Sequence, residues 1–255
     1  MDFNKIISLV LDTKAIVNNK NLKSEVAVKG KADFVTGIDL QISSFLKEKL
    51  LEIDSRIGFF SEEETGKLND PCWILDPIDG TTNLIFGYRL SSVSLGLFFD
   101  GQIVFGCIYN PFTDEVFTAE RDKGAFLNGT QIYASTRKVA DSIIEFGADV
   151  THKEFADDDF LIAKTIFRNC VDIRRICSSA LDLCYIADSR IDGYFESVLK
   201  PWDIAAGSLI LTEAGGKITD FDGNKIAFDK ATSVIASNGI IHDFLQQTIK
   251  SVREE

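Results

Sequence analysis

The segment CWILDPIDGTTN places two aspartates, Asp76 and Asp79, three residues apart directly after an apolar run. A turn between them would aim both carboxylates at one point. The glycine and threonines that follow could offer backbone N–H groups to an anion if a helix begins there. Taken alone, the five residues DPIDG are equally typical of a plain turn, so this interpretation needs further carboxylates to support it.

Those carboxylates occur elsewhere in the chain. Three glutamates, Glu62 to Glu64, follow a short predicted strand, and Asp203 stands in KPWDIAAGSLILTEAGG at an apparent helix start. A helix N-cap is the alternative role for Asp203. Buried carboxylates without partners are costly, and bound cations best explain several of them at strand ends. All candidate ligands are oxygens, which favours Mg²⁺, with Mn²⁺ or Ca²⁺ as substitutes.

Composition excludes several other functions. The net charge of the 255 residues is −12, which disfavours binding to nucleic acid or to anionic membranes, but bound metal ions would let an acidic pocket hold a phosphate. Two histidines, His152 and His242, are expected at the surface and leave little for a zinc site or a Ser-His-Asp triad. The five cysteines, without a CxxC pair, predict mostly buried free thiols. We expect a soluble, cytoplasmic protein, because no apolar run reaches the roughly 18 residues of a membrane span.

The hydrophobic pattern predicts an α/β fold. Residues 1–20 have the spacing of an amphipathic helix, KGKADFVTGID is a loop or hairpin, and a second helix should start at Asp39. A hairpin with Asp100-Gly101 at its turn comes next. From about residue 139, strands and helices alternate. We therefore predict an N-terminal α+β subdomain, 1–138, that binds metal and phosphate, and a C-terminal α/β substrate subdomain, 139–255.

The segments WILDPIDGTTN and PWDIAAGSLILTEAGG resemble the two signature motifs of the inositol monophosphatase family, within the lithium-sensitive, magnesium-dependent sugar-phosphatase superfamily. The likeness extends through FFSEE, IYNPFTDEVFTA, GAFLNG and DGYFES in the family's order. It implies a five-layer αβαβα sandwich of two subdomains, hydrolysis of inositol monophosphate or a similar polyol or sugar phosphate, inhibition by lithium, and a homodimer.

The resemblance also implies roles for individual residues. Two or three Mg²⁺ ions, with Mn²⁺ as a possible substitute, would be held by Glu62, Asp76, the Ile78 carbonyl, Asp79 and Asp203. The catalytic residues would be Glu62 and a hydrogen-bonded pair that helps to activate water, Asp39 and Thr81. Substrate would be bound by Asp79, Gly80, Thr81, Ser179, Glu196 and Asp203. Lys29 would lie on a loop with a further metal contact.

The sequence departs from the family pattern in the segment NLIFGYR, at Leu84, Phe86 and Arg89, and at Cys177, where relatives commonly carry glycine. These departures leave the substrate open, with fructose-1,6-bisphosphate, histidinol phosphate and 3'-phosphoadenosine 5'-phosphate as alternatives. Glu196 has a second interpretation as an ordinary charge at a strand end. A non-catalytic, regulatory protein on the same scaffold is the other class of function.

Overall fold

A computed structural model describes residues 1–19, 21–22, 25–30, 33–64, 66–148 and 150–254, with the backbone alone for 28–30 and 33. The side chain of Lys29 lies outside the described residues, so its metal contact stays a prediction. Within these ranges, no helix is both long and apolar enough to cross a membrane.

The helices of the described residues follow the predicted positions closely. Their bounds are α1 (Phe3–Asp12), α2 (Lys14–Val17), α3 (Gly37–Ile53), α4 (Thr81–Phe86), α5 (Ala156–Phe167), α6 (Ser179–Ala187), α7 (Pro201–Glu213) and α8 (His242–Arg253). Two short 3₁₀ turns span Val139–Asp141 and Lys153–Phe155. The predicted first helix is therefore confirmed, although it is divided at Thr13.

The strands form three sheets. A small hairpin pairs β1 (Val26–Gly30) with β2 (Asp33–Thr36). The seven-stranded sheet has the order β3-β4-β5-β6-β7-β8-β9, with β3 (Gly58–Ser61), β4 (Cys72–Asp79), β5 (Ser92–Phe99), β6 (Gln102–Asn110), β7 (Glu115–Glu120), β8 (Ala125–Leu127) and β9 (Thr130–Ile132). The five-stranded sheet has the order β11-β10-β12-β14-β13, with β10 (Ile143–Phe146), β11 (Asp172–Arg174), β12 (Gly193–Leu199), β13 (Lys217–Thr219) and β14 (Thr232–Ser237).

The sheets and helices stack in five layers, as the resemblance implies. Alternating residues of β4 divide between two cores, because successive side chains of a strand point to opposite faces. Trp73 and Leu75 pack under α1 and α3, whereas Ile74 packs against the central pair of helices, α6 and α7. Those two helices separate the sheets, and α5 and α8 cover the far face of the five-stranded sheet. The α/β class and the sandwich architecture are thus observed.

The start of α3 differs by two residues from its prediction at Asp39. Thr36 is the N-cap, and its hydroxyl accepts a hydrogen bond from the Ile38 N–H at 3.2 Å. The Asp39 carboxylate, at the third helical position, accepts from the Thr36 N–H at 2.8 Å. This reciprocal capping box satisfies two backbone donors at once. Asp39 therefore caps the helix from within its first turn.

The expectation of a surface position was wrong for His242. Its imidazole is fully buried, with hydrogen bonds to the Thr219 and Ser237 hydroxyls, both at 3.0 Å. Burial lowers the pKa of His242 to about 4. Three of the five cysteines are buried and all five are free, as predicted, whereas Cys177 is exposed. The hydrophobic pattern of the sequence did not predict the burial of His242. The burial depends on two buried hydroxyls that supply the hydrogen-bond partners a core histidine needs, and this pattern does not report them.

Candidate active site

Strand β4 brings Asp76 and Asp79 to the edge of the cleft. The strand extends beyond the apolar run CWIL and through the proline, with a register shift against β5 between Asp76, opposite Ser94, and Asp79, opposite Ser92. The Asp76 carboxylate accepts from the Ile78 N–H at 3.0 Å, which closes a local turn. Both aspartates are buried. The irregular strand end therefore gathers the two carboxylates, as the spacing predicted.

Gly80 connects this strand to α4 and has a left-handed backbone, with φ of 82°. A Cβ atom at this position would lie 2.9 Å from the Leu90 carbonyl oxygen and 3.2 Å from that of Cys177. Neither contact can relax easily, because both oxygens belong to the backbone. The turn from strand to helix therefore requires glycine for its conformation and for its space.

Thr81 and Asp39 lie together although 42 residues separate them. Thr81 Oγ1 is 3.3 Å from Asp39 Oδ1 and 3.0 Å from the Ile78 carbonyl oxygen, so its single hydrogen can go to either acceptor. The other Asp39 oxygen accepts from the Thr36 hydroxyl at 2.5 Å. Burial is the main reason that the pKa of Asp39 is raised, against the lowering effect of Thr36. A buried carboxyl is thus held in contact with a hydroxyl of the cleft.

Two long helices present their first turns to the same place. Asp79 Oδ2 accepts from the Ala180 N–H at 3.0 Å and from the Ser178 hydroxyl, at the N-terminus of α6. Asp203 occupies the third position of α7 and accepts from the Lys200 N–H at 2.6 Å. It is therefore not the N-cap. Negative charge is stabilised at helix N-termini, so both helices favour ionised carboxylates.

Burial nevertheless works against ionisation. It raises the pKa of Asp79 to about 6, and it raises the pKa values of Asp76 and Asp203 well above the ordinary range of aspartate. The charge of Glu62 adds to the rise for Asp76 and Asp203. Like charges this close resist joint ionisation, and a cation between them removes the repulsion.

The donor set fits a hard divalent cation, since every group is a carboxylate or carbonyl oxygen. The geometry is open rather than closed. Across the part of the chain that the structure describes, no three acidic, histidine or cysteine side chains surround one point as a metal cage. The carboxylates therefore form an electrostatically coupled group and not a closed cage.

Of these groups, Glu62, Asp79 and Asp203 line one end of a cleft of about 500 Å³, and a second set of residues lines the other end. Glu196 on β12 is 8% exposed and accepts from the Tyr194 hydroxyl. That hydroxyl also lies 3.2 Å from Ser179 Oγ, in the first turn of α6. Tyr194 and Glu196 share one face of β12 because they are two positions apart. The structure thus brings Ser179 and Glu196 together through a tyrosine that the sequence interpretation missed.

A buried acid pair, Glu145 on β10 and Asp182 on α6, lies behind this end. The two carboxyl groups share a hydrogen bond, and burial followed by that bond raises the pKa of Asp182 well above its ordinary range. Glu145 Oε2 and Asp182 Oδ1 are buried, and neither oxygen has a hydrogen-bond donor among the described residues. Neither residue was predicted, since nothing in the local sequence indicates that a strand and a distant helix place them side by side.

The departures from the family pattern occupy distinct positions. Cys177 lines the cleft with φ of 60°, and Arg89 has φ of 61°. This left-handed conformation is costly for residues other than glycine, which explains why glycine suits position 177. Phe86 is 71% exposed at the end of α4, whereas Leu84 is buried. Among the described residues, Cys177 is the departure that lines the cleft, and none of the departures replaces a proposed metal ligand.

Comparisons with known proteins identify the family of the chain. A model of the inositol monophosphatase family matches residues 3–254. An inositol-1-monophosphatase of Mesorhizobium japonicum is 37% identical over 230 residues, 89% of this chain and 86% of that protein. A Nus factor SuhB of Vibrio cholerae is 37% identical over 220 residues, 85% of this chain and 82% of that protein.

The fold agrees as well. A solved IMPase structure from Thermotoga maritima superposes with a TM-score of 0.90 at 28% identity, covering 100% of this chain and 99% of that one. Because the family match, the curated relatives and the superposition each extend over most of the chain, the protein belongs to the inositol monophosphatase family.

Proposed function

We propose that this protein is a magnesium-dependent phosphomonoesterase that hydrolyses inositol monophosphate or a similar polyol or sugar phosphate. The observation that supports this most directly is the coupled group of carboxylates at one end of the cleft, where burial and mutual repulsion raise the pKa values of three aspartates. A protein surface of net charge −12 would repel a phosphate ester unless cations reversed the local field.

The metal ligands in this proposal are Glu62, Asp76, the carbonyl oxygen of Ile78, Asp79 and Asp203. Two or three Mg²⁺ ions, with Mn²⁺ as a substitute, would lower the pKa of an attacking water and neutralise charge on the leaving oxygen. The N-termini of α6 and α7 keep Asp79 and Asp203 oriented toward that place through the Ala180 and Lys200 N–H groups. The backbone N–H groups of Gly80 and Thr81 would donate hydrogen bonds to the phosphate oxygens.

Asp39 and Thr81 would handle the proton. A cation on the Ile78 carbonyl would make that oxygen a poorer acceptor, and the Thr81 hydroxyl would then donate to Asp39 Oδ1. The hydroxyl oxygen would accept a hydrogen bond from the attacking water and orient it; as the water attacks, Thr81 would take the proton of the water and pass its own proton to Asp39 Oδ1. Thr36 holds the opposite oxygen of Asp39, so the acceptor stays in place during this exchange.

The opposite end of the cleft would recognise the alcohol. Glu196 would accept hydrogen bonds from neighbouring hydroxyls of the substrate, and the Ser179 N–H would donate to another. An ionised carboxylate can accept from two vicinal hydroxyls at once, which suits a polyol. In this proposal Glu196 is a substrate contact, and its place in β12, where the register against β14 shifts, presents it to the cleft.

The experiment measures initial rates on a panel of phosphate monoesters with Mg²⁺, with EDTA and with Li⁺. The panel includes inositol 1-phosphate, fructose-1,6-bisphosphate, histidinol phosphate, 3'-phosphoadenosine 5'-phosphate and p-nitrophenyl phosphate. We expect hydrolysis that EDTA abolishes, a preference for inositol phosphate, and inhibition by tens of millimolar Li⁺. Equal rates with and without EDTA would contradict the metal-dependent mechanism.

A regulatory role is a second candidate, because the relative from Vibrio cholerae is named Nus factor SuhB. All four carboxylates proposed as metal ligands are present, so the two functions are compatible. The absence of turnover on the whole panel would favour the regulatory function alone. The homodimer and the division into 1–138 and 139–255 also stay predictions, which light scattering and limited proteolysis would test.

A further inference from the structure

The end of β10 lies beside the middle of β12 at the alcohol end of the cleft. β10 and β12 run parallel with Phe146 opposite Phe195, and the next residue, Gly147, donates its N–H to the Phe195 carbonyl at 2.9 Å. This register puts the Cα of Gly147 beside the side chain of Glu196. Both residues line the cleft.

Gly147 leaves room that only the Glu196 carboxylate fills. A Cβ atom at position 147 would lie 2.0 Å from Glu196 Oε2, 2.1 Å from Cδ and 2.6 Å from Oε1, and these are its three nearest neighbours. The backbone of Gly147 is not left-handed, unlike that of Gly80. The glycine is therefore needed for space alone, and an alanine would displace the carboxylate without straining the chain.

Tyr194 holds the same carboxylate from the other side. Its hydroxyl donates to Glu196 Oε2, and it is buried from solvent. Burial, followed by the charges of Glu196 and Asp182, raises the pKa of Tyr194 well above that of an exposed tyrosine, so the hydroxyl stays protonated. With its one hydrogen directed to Glu196, the Tyr194 oxygen can accept from Ser179 Oγ, which is 3.2 Å away.

We propose that Gly147 and Tyr194 are positioning residues that fix the Glu196 carboxylate in the cleft and thereby set the preference for leaving groups that carry hydroxyls. This inference rests on the proposed function, in which Glu196 accepts hydrogen bonds from the substrate. It adds that the carboxylate selects polyols only when the space at position 147 and the tyrosine hydroxyl together hold it in place.

The test replaces Gly147 with alanine and compares inositol 1-phosphate with p-nitrophenyl phosphate, which lacks hydroxyls. Gly147→Ala should lower kcat/KM for inositol phosphate by about tenfold or more and leave that for p-nitrophenyl phosphate within about twofold, because only the first substrate uses the carboxylate. Gly66→Ala is the matched control. Its Cβ would lie no closer than 3.9 Å to Phe60, so both substrates should react at wild-type rates.

The same change in a second background separates positioning from a general defect. In Glu196→Ala, no carboxylate remains for the new methyl group to displace, so Gly147→Ala should have no further effect on either substrate. Tyr194→Phe should reproduce the selective loss in the wild-type background. A Gly147→Ala variant that slows both substrates equally, or that keeps the wild-type ratio, would overturn the proposal.

Thermal unfolding of the wild type, Gly147→Ala, Glu196→Ala and the double variant keeps this inference separate from the proposed function. If the wild type hydrolyses neither substrate, the proposed function fails, and the positioning question is then decided by Tm. Gly147→Ala should lower Tm by about 2–4 °C when Glu196 is present, since the buried tyrosine loses its acceptor, and by less than about 1 °C in Glu196→Ala. Equal shifts in both backgrounds would show that positions 147 and 196 are not coupled.

Discussion

The two ends of the cleft are both acidic, yet they hold their carboxylates in different ways. At the end that contains Asp76, Asp79 and Asp203, each aspartate accepts a hydrogen bond from a backbone N–H in its own turn or at a helix start. At the other end, Glu196 is held by a tyrosine hydroxyl, and two buried oxygens of the pair behind it have no hydrogen-bond partner among the described residues.

This difference indicates what each end is suited to do. Backbone donors keep the aspartates in place even though burial opposes their charge, and in the proposed function this prepares them to share a cation. Side-chain donors can be changed one at a time without disturbing the backbone, so the alcohol end can vary in specificity. We call the end with Asp76, Asp79 and Asp203 the metal end and the end with Glu196 the alcohol end. We therefore expect substitutions at the metal end to abolish activity and those at the alcohol end to change the choice of substrate.

The largest expected effect is that of Asp76→Asn at the metal end. Loss of this charge should weaken cation binding and reduce turnover by more than about 10³-fold, while removal of one like charge leaves the fold intact or more stable in EDTA. The measurements are the Mg²⁺-dependent rate and Tm with and without Mg²⁺. Mg²⁺ should raise the wild-type Tm much more than that of the variant. Activity within tenfold of wild type would contradict a metal-bridging role.

A smaller effect is expected for Asp39→Asn, with kcat reduced by about 10²-fold and little change in KM. The asparagine oxygen can still accept from the Thr36 N–H, so the capping box and the helix survive. The amide nitrogen then faces Thr81 and cannot accept its proton. Steady-state kinetics and a melting curve check both halves of this prediction. A normal kcat would leave Asp39 with its capping role alone.

Glu196→Ala tests the alcohol end directly. Each hydrogen bond from a substrate hydroxyl to this carboxylate would contribute roughly 1.5–3 kcal/mol, so kcat/KM for inositol phosphate should fall by about ten- to a hundredfold. The rate on p-nitrophenyl phosphate should barely change. If both substrates suffer equally, Glu196 is a structural charge, and the functional contrast between the two ends disappears.

His242 is buried outside the cleft, and we expect its substitution to leave turnover unchanged. Its pKa of about 4 lies below the ordinary value of 6.5, so the unfolded chain takes up a proton first as the pH falls. The contribution of the neutral, buried imidazole to the free energy of unfolding is complete above pH 6.5 and is lost as the pH falls toward 4. Between pH 7 and 5, wild-type Tm should fall by about 4 °C more than that of His242→Gln. Parallel curves would exclude this contribution.

Local sequence was sufficient where short-range geometry decides the outcome. The spacing of Asp76 and Asp79, the turn at Asp100-Gly101 and the periodicity of α1 depend on neighbouring residues, and all three have the predicted structure. Asp39 and Asp203 were placed at helix starts for the same reason. The start of α3 lies two residues before its prediction at Asp39, and the alternative of an N-cap for Asp203 is not observed, because both aspartates lie at the third helical position.

Only the tertiary structure decided which distant residues meet. Thr81 meets Asp39 across 42 positions, and Gly147 meets Glu196 because two parallel strands adopt one register. The burial of His242 likewise depends on hydroxyls from two other elements. No local pattern encodes these contacts, because they arise when separate sheets and helices pack and exclude water. The sequence thus determined the chemical groups and their local turns, whereas packing determined their partners.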